Sequence, residues 1–208
     1  VINVLALAGN GGNAARWSRL PQPLDDDPTN PVHLHPISLP GFDGIPLAKQ
    51  SPSVHDFADW LTAEASTIDG PRVFFGTGIG GSIGLQAAQA AGLADAGRFI
   101  LKRRWKDSMP AADVDRFAQG YLDCAAFEVM WDILDAQWFD ALQPIPAPSI
   151  LMWGANDAVL GSNLAAGFDR VLPTAEVVIK DSWGHYPMLE TPQDFASTIS
   201  ALSRQLLA

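Results

Sequence analysis

The chain has 208 residues, 48% hydrophobic and 17% charged, with a formal net charge of −10, which is the profile of one globular domain with a sizeable core. The negative balance, relieved only by the run KRRWK at 102–106, excludes a nucleic-acid or anionic-membrane surface. A single cysteine, Cys124, excludes an internal disulfide, and its apolar, helix-spaced surroundings predict a packed core thiol.

The opening VINVLALAG lacks a basic leader and a cleavage site, so it reads as a core strand and the chain as cytoplasmic. No apolar run approaches the roughly eighteen residues of a membrane helix. Six branched or aromatic segments predict buried parallel strands: INVLALA (2–8), VHLHPISL (32–39), RVFF (72–75), RFIL (98–101), SILMW (149–153) and EVVIK (176–180). Their continuous apolar character suits a sheet covered on both faces. Amphipathic patterns alternate with them: VHDFADWLTAEAS, IGLQAAQAAG, GSNLAAGFDRVL and PQDFASTISALSRQLL. Strand and helix in alternation imply an α/β fold with a doubly wound, mostly parallel sheet and right-handed crossovers.

Nearly fifty residues separate the fourth and fifth strands, too many for a simple crossover. Within them Phe117, Tyr121, Phe127, Met130, Trp131, Leu134, Trp138 and Phe139 recur at three- and four-residue steps. This pattern predicts a helical cap insertion over 102–146 of a single domain spanning 1–208; alternatively, these side chains are the buried faces of helices packed on the sheet. Trp and Phe walls suit a small-molecule ligand with an apolar part, and an apolar cap also offers a homodimer surface.

The third strand runs into Gly76-Thr77-Gly78-Ile79-Gly80-Gly81 and then a helical pattern. The spacing is that of a nucleophile elbow, Gly-x-Nuc-x-Gly, whose flanking positions must be small because the turn is tight. It also contains GxGxxG, but the acidic residue expected about twenty positions on, at the tip of a following strand, is missing, since Asp95 precedes its strand; no GxxxxGK[ST] is present either. Three further segments converge on the elbow: the glycine turn LALAGNGGN after the first strand, Asp157 in LMWGANDAVL after the fifth, and His185 in DSWGHYPMLETPQDF after the last. The chain order is elbow, acid, histidine. His33, His35 and His55 lack metal-ligand spacing with carboxylates, and neither a metal nor another cofactor is expected.

GNGG, LPGFDG (39–44), GTGIGG, WGANDAVL and GHYPMLETPQDF together resemble the α/β-hydrolase superfamily over nearly the whole chain. The resemblance implies a trimmed core of about six strands, lacking the family's N-terminal pair, with the second strand outside the first and the third on its other side. It implies backbone N–H groups of Asn10 and Ile79 as an oxyanion hole, Asp157 orienting His185, and a nucleophile at position 78. That position holds glycine. Ser82 or Thr77 could substitute, His185 could activate water directly, the pocket could bind a ligand without turnover, or a serine could have been replaced by design. The expectation is a hydrolase of a small ester-like or acyl substrate; the alternative is a non-catalytic binding or interaction protein on the same scaffold.

Overall fold

The computed structural model describes residues 1–78, 98–101, 111–135, 138–157 and 160–208. Ile79, Ser82, the helical pattern after the elbow and the basic run 102–106 lie outside the described residues.

Six parallel strands form one sheet in the order β2-β1-β3-β4-β5-β6. They are β1 Ile2–Leu7, β2 Val32–Ile37, β3 Arg72–Thr77, β4 Arg98–Leu101, β5 Ile150–Gly154 and β6 Glu176–Lys180. The second strand lies outside the first and the third on its other side, as the resemblance implied. The order of connection therefore reverses between β1 and β3, and a parallel sheet opens a crevice at the carboxyl ends of its strands at such a point.

Every residue of β1 is buried, because both faces are covered. Val4 and Ala6 pack with Trp17, Phe75, Met152, Trp183, Phe195 and Ile199, whereas Leu5 and Leu7 face Phe42, Phe57, Leu61, Phe74 and Met130. A third cluster joins Leu151 and Trp153 to Leu142, Ile145, Val171 and Leu172.

Helix α1, Val54–Ser66, opens on a capping box in which Ser53 Oγ accepts from the Asp56 N–H and the Asp56 carboxylate accepts from the Ser53 N–H. The long connection after β4 holds α2 Ala111–Leu122, α3 Phe127–Asp135 and α4 Trp138–Ala141. Cys124 sits in the break between α2 and α3 rather than inside a helix; it is buried, and burial pushes its thiol pKa up. Met130 and Ile133 of α3 belong to the core beneath β1, and Phe139 of α4 packs against the third cluster. Of the predicted stripe, Met130 and Phe139 thus pack on the body of the domain.

The pattern GSNLAAGFDRVL, expected to be an α-helix, forms only a 3₁₀ segment over Ser162–Phe168. Gly161 caps its start and Gly167 lies within it, and a glycine inside a helix costs about 1 kcal/mol relative to alanine. After β6, the short α5 Pro187–Glu190 leads into α6 Pro192–Leu207, whose Phe195, Ala196 and Ile199 close the face opposite α1. No helix among the described residues is long and apolar enough to cross a membrane.

Candidate active site

The carboxyl end of β1 runs into the turn Gly9-Asn10-Gly11-Gly12, closed by a 2.8 Å bond from the Gly12 N–H to the Gly9 carbonyl. Gly11 has φ +67°, which a turn of this class demands of its third residue. A side chain there would run into the Tyr121 ring of α2. Asn10 Nδ2 donates to the Phe127 carbonyl at 3.2 Å, so the turn is held from above by the start of α3. From the side, the Ala14 N–H donates to Asp43 Oδ2 at 3.0 Å, which fastens the turn to LPGFDG.

β3 ends at Thr77 and passes into Gly78, whose φ is +54°. Among the described residues, a Cβ built on Gly78 meets nothing closer than the Gly9 Cα at 3.8 Å. Thr77 is buried, and its Oγ1 accepts the Gly9 N–H at 2.8 Å. One threonine hydroxyl thus ties the elbow to the glycine turn.

On the other side, β5 ends at Gly154, and the Asp157 N–H donates back to the Gly154 carbonyl at 3.1 Å. Asp157 Oδ1 accepts the Leu160 N–H at 3.1 Å, and Oδ2 lies 3.0 Å from Nδ1 of His185. A carboxylate only accepts, so the proton of this pair sits on Nδ1, and Nε2 is left as the basic nitrogen. The Asp157 side chain is fully enclosed while that of His185 is 21% exposed, so a buried carboxylate fixes a partly exposed imidazole. The two loops are clamped together where Gly154 faces the Trp183 and Gly184 carbonyls; no Cβ would fit between them.

Arg16, absent from the sequence-derived candidates, bridges the two halves. It lies in the 3₁₀ turn Ala14–Trp17 and is only 3% exposed. Its guanidinium packs on Gly12, where a Cβ would stand 2.7 Å from Cζ, and on Gly9, where one would stand 3.6 Å from Nη1. The same group lies over the Tyr186 ring at 5.0 Å, and the Tyr186 and His185 rings are 5.1 Å apart. An unbroken series of contacts therefore runs from Gly78 through Gly9, Arg16 and Tyr186 to the His185–Asp157 pair. The apolar neighbours in NAARW are the signal that this arginine turns inward.

The structure brings Gly78, Thr77, Asn10, Asp157 and His185 to one end of the sheet; Ile79 and Ser82 lie outside the described residues. Of the remaining histidines, His35 Nε2 donates to Asn3 Oδ1 at 2.8 Å, and its pKa is lowered by burial and by His33. It belongs to the opposite end of the strands. Among the described residues no three His, Cys, Asp or Glu side chains converge in metal-binding geometry.

Several solved structures share the whole architecture at low identity. An esterase from Exiguobacterium antarcticum superposes with a TM-score of 0.80 at 12% identity, covering 98% of this chain and 92% of its own. An epoxide hydrolase from Bacillus megaterium gives 0.74 at 11%, with 97% and 93% covered. By sequence, 66 residues are 33% identical to LipZ of Mycobacterium tuberculosis, a protein named as a hydrolase; this match spans 32% of the chain and only 23% of that relative. Residues 4–198 match the family described as the alpha/beta hydrolase family. With that match over nearly its full length, on a sheet of this order, the chain belongs to the alpha/beta hydrolase family.

Proposed function

We propose that the protein hydrolyses a small ester-like or acyl substrate, with His185 as general base, Asp157 as its orienter and the Asn10 and Ile79 backbone amides as oxyanion donors. The observation that carries this reading is the 3.0 Å contact between His185 Nδ1 and the enclosed Asp157 carboxylate. It lies in contact series with a turn at Gly78 that has the positive φ of an elbow and no side chain.

Glycine cannot attack, so water is the nucleophile. His185 Nε2 takes a proton from it as its oxygen bonds to the acyl carbon, and the carbonyl electron pair moves onto oxygen, facing the Asn10 and Ile79 N–H groups. When the tetrahedral species collapses, the bond to the leaving oxygen breaks and the imidazolium returns the proton to it. The products are a carboxylic acid and an alcohol, and the imidazole is regenerated. Asp157 stabilises the imidazolium and stays ionised throughout. The helices of the insertion after β4 act as a cap that contributes Tyr121 and Phe127, whose rings stack edge to face at 5.8 Å, as a wall for an apolar substrate part.

Gly78 also favours a second reading, in which the scaffold binds a small molecule without turnover. Steady-state hydrolysis of a panel of p-nitrophenyl acyl esters by the protein and its His185→Ala variant separates the two. A loss of about 10²- to 10⁴-fold in the variant supports general-base hydrolysis. Equal rates for both proteins overturn it and leave the binding role.

A further inference from the structure

The outer strand of the sheet carries a pattern that the hydrolytic site does not use. In β6, Glu176-Val177-Val178-Ile179-Lys180, the side chains of Val177 and Ile179 are 45% and 49% exposed, whereas Val178 packs toward α6 with the core. Two apolar β-branched residues thus stand side by side on the uncovered face of a terminal strand. Among the described residues no strand pairs with its outer edge.

The direction of each peptide group follows from the pairing with β5. The Glu176 N–H donates to the Ser149 carbonyl at 3.1 Å, and the Lys180 carbonyl accepts the Ala155 N–H at 3.0 Å. Peptide groups alternate sides along a strand, so residues 176, 178 and 180 bond inward, and the N–H and C=O of Val177 and Ile179 point outward. An edge of this kind is a template for a further strand.

We infer that β6 pairs antiparallel with β6 of a second copy of this chain, about a two-fold axis through Val178. The strand is self-complementary in that register alone. Val177 faces Ile179 of the second copy as a hydrogen-bonded pair, and Ile179 faces Val177, so each outward N–H meets an outward carbonyl. Four main-chain hydrogen bonds form. Val178 faces its own symmetry mate as the non-bonded pair between them. Glu176 comes opposite Lys180 at both ends, a pairing of opposite charge on directly facing positions.

Those charges lie on the face covered by α6, where Glu176 accepts from Gln205 at 2.6 Å and Lys180 reaches Asp194 at 3.3 Å and Thr198 at 3.1 Å. Both side chains are thereby held along the strand they flank. The four exposed apolar side chains, two from each copy, meet on the other face and leave water together. A shift of register by two residues loses this match, since it sets Glu176 opposite Val178 and leaves Lys180 without a facing residue in the strand. The interface joins two six-stranded sheets into one and involves no residue of the candidate active site, so it stands independently of the proposed function.

Sedimentation analysis over a range of concentrations tests the pairing, together with two variants whose folding is checked by circular dichroism. The parent is expected to shift toward twice its 22.2 kDa mass as concentration rises. Val177→Pro removes two of the four bonds while leaving the inward ladder intact, and is expected to weaken association by about tenfold or more. In Val178→Cys the two thiols meet across the axis, where facing Cα atoms of a non-bonded pair lie about 4.5 Å apart, within disulfide reach. Mild oxidation should link this variant into dimers, while Asp59→Cys on α1 stays unlinked. A parent that is monomeric at every concentration overturns the inference, as does a dimer unmoved by Val177→Pro, or a Val178→Cys variant that links no faster than Asp59→Cys.

Discussion

Replacing Gly78 by serine probes the elbow most directly, because the structure sets both its cost and its gain. At φ +54° a residue bearing a Cβ is strained, by about 1–2 kcal/mol. Among the described residues the new Cβ meets only the Gly9 Cα, at an ordinary 3.8 Å. For a chain of this length the strain converts to a fall in Tm of about 2–8 °C. Against that cost, the new hydroxyl stands at the position from which an elbow nucleophile attacks, next to the glycine turn that we propose supplies an oxyanion donor. Ester turnover by Gly78→Ser is expected to rise by about 10²- to 10⁴-fold over the parent, and a fluorophosphonate probe should add to the variant and not to the parent. Stopped-flow ester assays, intact-protein mass measurement and calorimetry read the three quantities. Adding His185→Ala should abolish both gain and labelling. A parent labelled at Thr77 or Ser82 would refute the reasoning, as would a folded Gly78→Ser variant that neither labels nor turns over.

Three further perturbations follow from particular contacts. Asp157→Asn replaces the acceptor for the His185 Nδ1–H by a group that can also donate, so the imidazole loses its fixed tautomer; ester kcat should fall by about 10²- to 10⁴-fold with KM little changed. Gly154→Ala forces a methyl against the Trp183 carbonyl and should cost about 1–3 kcal/mol in urea unfolding, with a further loss of activity because it separates the strand end leading to Asp157 from the loop holding His185. Asp25 is bound by Arg204 through Nη1 at 2.6 Å and Nη2 at 3.1 Å and also accepts from Ser200. The Arg204 guanidinium foremost holds its carboxyl below the ordinary 3.8, against the opposing effect of burial. A carboxyl lowered in the folded state contributes stability above its unfolded value and loses that contribution as pH falls through the folded one. Arg204→Met should therefore lower stability at neutral pH by about 1–3 kcal/mol, and its stability should change less on acidification than the parent's, as read from urea midpoints across the acid range.

The strands were legible because a sheet covered on both faces needs largely apolar runs, and INVLALA and SILMW supply them with Asn3 and Ser149 as their only polar residues. Their ends were less so. β3 continues through Gly76 to Thr77 because Thr77 is needed inside, as the acceptor for the Gly9 N–H, a contact 68 residues distant in sequence. The segment after Gly161 carried helical spacing but too much glycine, and it settled as 3₁₀. At the site, Gly78, Asp157 and His185 could be read because each follows a strand and the chain order is distinctive. Arg16 was harder to read, because a charged residue in a glycine-rich loop ordinarily lies in water and its apolar neighbours in NAARW are a weak hint beside the burial that the fold shows. The Asp25–Arg204 pair was equally hidden, its partners being 179 residues apart.

The scaffold cannot select the reaction. At TM-scores of 0.80 and 0.74 the same arrangement of sheet and helices serves a protein named as an esterase and one named as an epoxide hydrolase, so the chemistry must be decided by a few side chains at the carboxyl end of the strands. In this chain the described residues at that end of the sheet include a carboxylate with both oxygens engaged, a histidine with one nitrogen fixed, and a glycine turn held from three sides. Position 78, where an elbow carries its nucleophile, holds glycine. A site that had merely decayed would not be expected to keep an enclosed carboxylate on a histidine, nor an arginine packed beneath its glycine turn. Each of these groups costs desolvation that a plain apolar core would avoid. Their presence around Gly78 supports the proposal of a base acting on water, and the His185→Ala comparison, rather than any further likeness of fold, is the decisive test.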